Sequence, residues 1–230
     1  RLSEVDLAIA KRFSDVFDLA YARFLELKQK EDQNRELTIQ NSLERVRARA
    51  LGMQESNELS GVVWDLLEET RAIGSPVLHV QIGLLHEADH AEVWGGGVFG
   101  VRQDKGLPMY TQDAPAQRED VTTARDRGEP WHVGEISVTE ASVEKWREQA
   151  KEVGELPDDA RIWLGASPTS ILSHRVFFTE GIVAYHAPRH IDDDGLAVLK
   201  RFTDVFDFAY GRFLELKQKE DQNRELTIQN

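Results

Sequence analysis

Apolar side chains at Phe13, Phe17, Ala20, Phe24 and Leu27 recur at alternating steps of four and three, the spacing of a heptad seam on one helix. Ile39, Leu43, Val46, Ala50 and Met53 repeat that spacing. Between the two seams lies "KQKEDQNRE", residues 28–36, with no apolar side chain, no Gly and no Pro. This composition favours helix while offering nothing to bury. Leu27 and Ile39 are twelve residues apart, which is not a whole number of heptads, so the apolar stripe slips around the helix. A polar, out-of-phase stretch keeps a helix continuous but weakens its grip on a partner, which marks 28–36 as a compliant joint. A single helix over 3–53 would be about 75 Å long at 1.5 Å per residue. One small domain cannot cover that length. The pattern predicts a parallel two-fold homodimer with these ten residues as its seam. The alternative is two shorter helices, broken in the polar segment and packed back on the domain.

Further along, the periodicity changes. Leu59, Val62, Val63, Leu66 and Leu67 share one helical face, and Gly74 is the expected stop. "PVLHVQIGLL" (76–85) and "AEVWGGGVFGV" (91–101) read as two strands of a hairpin around "HEADH". Three consecutive glycines in the second strand call for a bulge or a close backbone approach. Residues 116–128 read as a helix, "PWHVGEIS" as a short strand, and "EASVEKWREQAKEVG" as a helix with Val143, Trp146 and Ala150 inward. "SILSHRVFF" and "GIVAYHAP" form a second hairpin around Thr179 and Glu180. Asp192 then caps a final helix with acids in its first turn. The order predicts an α+β fold, an antiparallel sheet of about five strands with helices on one side.

The final helix returns to the beginning. "RFLELKQKEDQNRELTIQN" occupies both 23–41 and 212–230, and "AKRFSDVFDLAYARF" (10–24) lies over "LKRFTDVFDFAYGRF" (199–213) with mild changes. A period near 190 is too long for a solenoid unit and suits a tandem array of whole domains. An engineered duplication would produce the same ends. The expected division is a helix over 1–53, a domain over 54–189, and a second helix over 190–230 that repeats 1–41.

Composition narrows the function. With 41 acidic against 28 basic residues the chain carries a formal charge of −13, which repels nucleic acid and anionic membranes. There is no cysteine, which removes disulfides, thiolate metal sites and cysteine nucleophiles. No apolar run approaches the roughly 20 residues of a membrane span, so a cytoplasmic location is expected.

The stretches "RFLELKQKEDQNRELTIQNSLERVRARALGMQ", "WHVGEISV" and "HRVFFTEGIVAYHAP" resemble the GAF-like sensory domains of bacterial signalling proteins, in particular those strung in tandem ahead of histidine kinase or phosphatase outputs. The resemblance implies a sensory role, incoming and outgoing signalling helices, and neighbouring repeat units as partners. It supplies few residues. The Asn-Lys-Phe-Asp-Glu signature of cyclic-nucleotide-binding members is missing, and without cysteine a covalently tethered bilin is excluded, so the cofactor is unknown.

Of the seven histidines, His86 and His90 have i, i+4 spacing but bracket a turn, so no metal site is expected. "LSHR" (172–175) sits in a strand and is no phospho-accepting motif, and no catalytic residues can be named. Trp94, Phe99, Met109, Trp131, His132 and Phe177 lie on or beside strands, where they would line a small-molecule pocket or serve as core. "RVRARA" places Arg45 and Arg49 on one solvated helix face. The leading expectation is a non-catalytic sensory or relay module. A structural dimerisation spacer and an enzyme of unknown reaction using the aromatic cavity are the rivals.

Overall fold

The structure is a computed structural model that describes residues 3–85, 90–97, 102–103, 105–110, 115–137, 154–155 and 170–228, together with Thr139, Glu144 and Glu148. The chain divides into two compact units, Arg1–Asn41 and Ser42–Asn230. Helix α1, Glu4–Leu51, is a single element of 48 residues that starts in the first unit and ends in the second. Ser3 and Asp6 open it with reciprocal backbone hydrogen bonds at 2.9 and 3.2 Å, a capping-box arrangement. The polar residues 28–36 are helical throughout. The helix does not break there.

In the second unit, α1 ends at Gly52, and Glu58 binds the backbone N–H groups of Gln54 and Glu55 at the start of the next turn. Those two donors hold the Glu58 carboxyl below the usual range. Helix α2, Leu59–Ala72, buries all five of its predicted apolar residues. Gly74 ends it at φ +85°, and the N–H groups of Gly74 and Ser75 return to the carbonyls of Arg71 and Thr70.

Strands β1 (His79–Leu85) and β2 (His90–Gly97) form the first hairpin, followed by β3 (Arg102–Gln103) and β4 (Leu107–Tyr110). Helix α3 (Pro115–Asp126) leads to β5 (Trp131–Ser137), and β6 (Gly154–Glu155) precedes the second hairpin of β7 (Ser170–Phe178) and β8 (Gly181–Ala187). Helix α4, Asp193–Ile228, closes the chain, and Asp192 caps it by accepting from Gly195 N–H at 2.8 Å. The main sheet is antiparallel, in the order β4-β2-β1-β8-β7-β5, and β3 pairs with β6 separately. The class is α+β, as expected. The sheet has six strands where about five were anticipated, because short β4 adds an edge beside β2. The expected helix over 140–154 lies almost wholly outside the described residues.

One face of the sheet carries the helices. Trp94, Ile82, Val183 and Val176 form a cross-strand row, with Val80 and Tyr185 in the next row. A Cβ on Gly96 would come within 2.9 Å of Val63 on α2, and the Tyr185 hydroxyl lies 3.1 Å from Thr203 on α4. Glycine at 96 therefore sets how closely α2 approaches the strand. From α4 the face receives Leu196, Leu199, Phe202, Phe206, Ala209 and Phe213, all buried.

The ten predicted seam residues do not form one surface. Phe13, Phe17, Ala20, Phe24 and Leu27 are exposed, while Ile39, Leu43, Val46, Ala50 and Met53 are buried within the chain itself. This corrects the reading of the second heptad stripe as a seam open to another chain. Beside it, Arg45 makes a bidentate pair with Glu69 of α2, and Arg49 lies 3.6 Å from Asp65. The two arginines, read as a solvated face, are exposed and also tie α1 to α2. Burial raises the Asp65 carboxyl, with Arg49 opposing it; for Glu69 burial is outweighed by the Arg45 pair, and its pKa falls.

Candidate functional site

Strand alternation sends every second side chain to the face opposite α2 and α4. His79, His186 and Ser173 stand in register across β1, β8 and β7, with Gly134 next on β5. Gln81, Ala184, Arg175 and His132 form the neighbouring row, and Gly95 of β2 pairs with Gln81. His79, His186, Ser173 and Arg175 are all buried. Four polar side chains buried together on one sheet face are unusual, because each must recover the hydrogen bonds it gives up to water.

The glycines make room for them. A Cβ at Gly134 would stand 2.6 Å from the Arg175 guanidinium, and one at Gly95 would stand 3.2 Å from the His79 ring. The His79 and His186 rings are 5.3 Å apart. Gln81 Oε1 can only accept, so at 3.0 Å it takes the proton of His186 Nε2. That leaves His186 Nδ1 as a bare acceptor. Neither it nor the Ser173 hydroxyl has a hydrogen-bond partner among the described residues. Burial, then the Arg175 cation and His174, pushes His186 down to about 3. Burial also drives His79 well below its ordinary value, reinforced by His186 and Arg71. Both rings are neutral at pH 7. Among the described residues the face thus presents an unsatisfied hydroxyl and an imidazole acceptor beside the Arg175 side chain, a set that suits a polar small molecule with both donors and acceptors.

His174 belongs to the other face, in register with Tyr185. Ile191 N–H donates to its Nε2 at 3.1 Å, so Nδ1 carries the proton and donates to the Tyr185 carbonyl at 3.2 Å. Burial lowers its pKa, the Tyr185 carbonyl opposes, and His190, 5.7 Å away, lowers it further. This histidine ties the start of α4 to the sheet. Tyr185 does the same further along: its hydroxyl reaches Thr203, and burial pushes its pKa up. Asp207 completes the attachment by accepting from the Thr179 N–H and hydroxyl at 3.2 and 2.9 Å.

The aromatic pocket read from the sequence does not assemble as drawn. Trp94 and Trp131 lie in the row of Ile82 and Val183, on the helix-bearing face, whereas His132 and Phe177 point to the opposite one. The reason is the period of two along a strand, which separates Trp131 from its neighbour His132. Met109 pairs with Ala91 in β4, and Phe99 lies outside the described residues. The polar rows were missed because His79, Ser173 and His186 are far apart in sequence, and only their shared register joins them. Among the described residues no cluster of metal-ligating side chains occurs, and no helix is long and apolar enough to cross a membrane. His86 of the weighed histidine pair falls outside them.

No family model matches the chain, and no curated protein matches it. Among solved structures, it is similar to a bacteriophytochrome from the photosynthetic bacterium R. palustris at 13% identity and a TM-score of 0.48, over 83% of this chain and 41% of that one. The chain therefore spans less than half the length of that protein. It is also similar to the phycoerythrobilin-bound GAF domain of a cyanobacterial phytochrome (16% identity, TM-score 0.45, 78% of this chain and 97% of that one). A methyl-accepting chemotaxis protein fragment follows at 14% identity and a TM-score of 0.39, over 75% of this chain and 98% of that one.

Proposed function

We propose that the chain is a GAF-like, non-catalytic sensory relay unit, in which the polar face of the sheet answers to a small molecule and α4 carries the response away. The observation that carries this reading is the alternation along β8. His186 stands on the polar face, and Tyr185, the residue before it, holds α4 on the other. A ligand that engages the Nδ1 acceptor of His186 shifts β8, and the Tyr185–Thr203 bond transmits that shift to the helix. The polar segment of α4 beyond Leu216 lacks apolar anchors and yields first. A spacer with the same architecture would set distance only.

The test is a coupling experiment on the 230-residue chain. His186→Ala is expected to speed amide exchange over residues 217–222 of α4 about tenfold, with the melting transition still cooperative. In a Tyr185→Phe background the same change should leave that exchange unaltered, because the link to Thr203 is already cut. Exchange that ignores His186 in both backgrounds supports the spacer instead.

A further inference from the structure

The repeated helix is seen twice in this structure, once covered and once bare. In α4, Phe206 is 0% exposed, and Phe202, Val205, Ala209, Tyr210 and Phe213 are buried with it against the sheet. Their equivalents in α1 are Phe17, Phe13, Val16, Ala20, Tyr21 and Phe24, each 189 positions earlier. Phe17 is 67% exposed, and the other five are exposed as well. Even the ring ladder is retained: Phe206–Tyr210–Phe213 stack at 5.4 and 5.9 Å, and Phe17–Tyr21–Phe24 at 6.0 and 6.4 Å.

We infer that the face of α1 formed by Phe13, Val16, Phe17, Ala20, Tyr21 and Phe24 is a sheet-docking face, and that its partner is the helix-bearing face of another sheet of this same kind. Three observations carry this beyond an exposed apolar stripe. First, the polar anchors of α4 are duplicated. Thr203, which meets Tyr185, has Ser14 as its counterpart, and Asp207, which binds Thr179, has Asp18. A seam between two helices has no use for them.

Second, every ring on the covered face is kept in both copies, and two of the four differences over 199–213 lie off it. Phe208 is exposed and becomes Leu19, while Gly211, with nothing within 4 Å, becomes Ala22. Thr203 becomes Ser14 and keeps its hydroxyl. Thr203 and Leu199, which becomes Ala10, are the two buried positions that change, and each loses only aliphatic carbons. Third, Val16 and Tyr21 widen the stripe past the two positions per heptad that a helix pair uses, toward the broader face that a layer of sheet covers. The heptad spacing of Phe13, Phe17, Ala20, Phe24 and Leu27 by itself predicts a dimer seam. The covered copy reassigns it.

This inference holds whether or not the unit senses a ligand, and a chain that sets a second sheet ahead of α1 tests it. Residues 42–198 joined directly to residue 10, and running on to 230, place the α1 face at the spacing from a sheet that α4 has. Amide exchange over 10–27 should then slow at least a hundredfold relative to the 230-residue chain, to the level of 199–216, at every protein concentration. Exchange as fast as before, or an added unit that does not fold, overturns the proposal. So does protection that vanishes on dilution, which assigns the face to the same helix of a second copy. An independent check writes the α1 residues onto α4 of the 230-residue chain as L199A/T203S/F208L/G211A. This variant should melt cooperatively and no less stably than L199A alone. Loss of the fold beyond that of L199A rejects the equivalence of the two faces.

Discussion

Phe206→Ala is expected to destabilise the second unit by about 3–5 kcal/mol, the usual cost of emptying an aromatic site in a packed core. The Phe206 ring is fully buried, meets Phe178 edge-on at 5.2 Å and stacks on Tyr210 at 5.4 Å. Its removal leaves a cavity that neither neighbour can fill without leaving its own place. Phe17→Ala, in the sequence "VFD" that both copies share, should change the unfolding free energy by about 0.5 kcal/mol or less, as surface substitutions do. Denaturant titrations of the two single variants, followed by far-ultraviolet circular dichroism, provide the comparison. Equal effects at the two positions would mean that the sheet is not what distinguishes them, and the account of the core given above would fail. The burial that separates the copies also appears in Tyr210, whose phenol burial, then Glu92 and Glu180, pushes up to about 12.

Acidification should unfold this unit early, through its histidines. His79 and His186 are neutral in the folded state, with pKa values far below the ordinary 6.5. In the unfolded chain each takes up a proton as pH falls through about 6.5. The unfolded state therefore binds more protons below that value, and stability drops with falling pH until the folded pKa is reached. By pH 5 the His186 ring has forfeited about 2 kcal/mol, a sizeable share of a typical domain stability of roughly 5–15 kcal/mol, and His79 adds in the same direction. His174, also lowered, adds in the same direction. Urea midpoints measured from pH 7.5 to 5 should fall steadily, and His186→Gln should flatten the curve by about one proton while keeping an acceptor toward the polar face. A midpoint constant over that range would show that the rings are charged or solvated in the folded state.

Much of the architecture follows from local pattern. The five apolar residues of α2, the Gly74 stop, both hairpins and the Asp192 cap all stand in the sequence as periodicity and turn chemistry. These are short-range effects, set by side chains a few residues apart, and they read correctly because nothing distant overrides them. The triple glycine also signalled its role, since a close approach leaves no space for a Cβ.

What covers each stripe is a different matter. A heptad spacing states that one side of a helix is apolar, not whether a sheet, a second helix or another chain lies over it. Nineteen identical residues, 23–41 and 212–230, accordingly open with Phe24 exposed and Phe213 buried. Likewise, the polar row of His79, His186 and Ser173 exists only because β1, β8 and β7 pair in one register; a slip of one residue would turn each side chain to the opposite face. The sequence by itself determined both hairpins, the helices α2, α3 and α4, the order in which these follow one another, and the duplication of the long helix. Only the tertiary structure decided which copy is core and which histidines meet, because burial is a property of what packs against a residue and not of the residue.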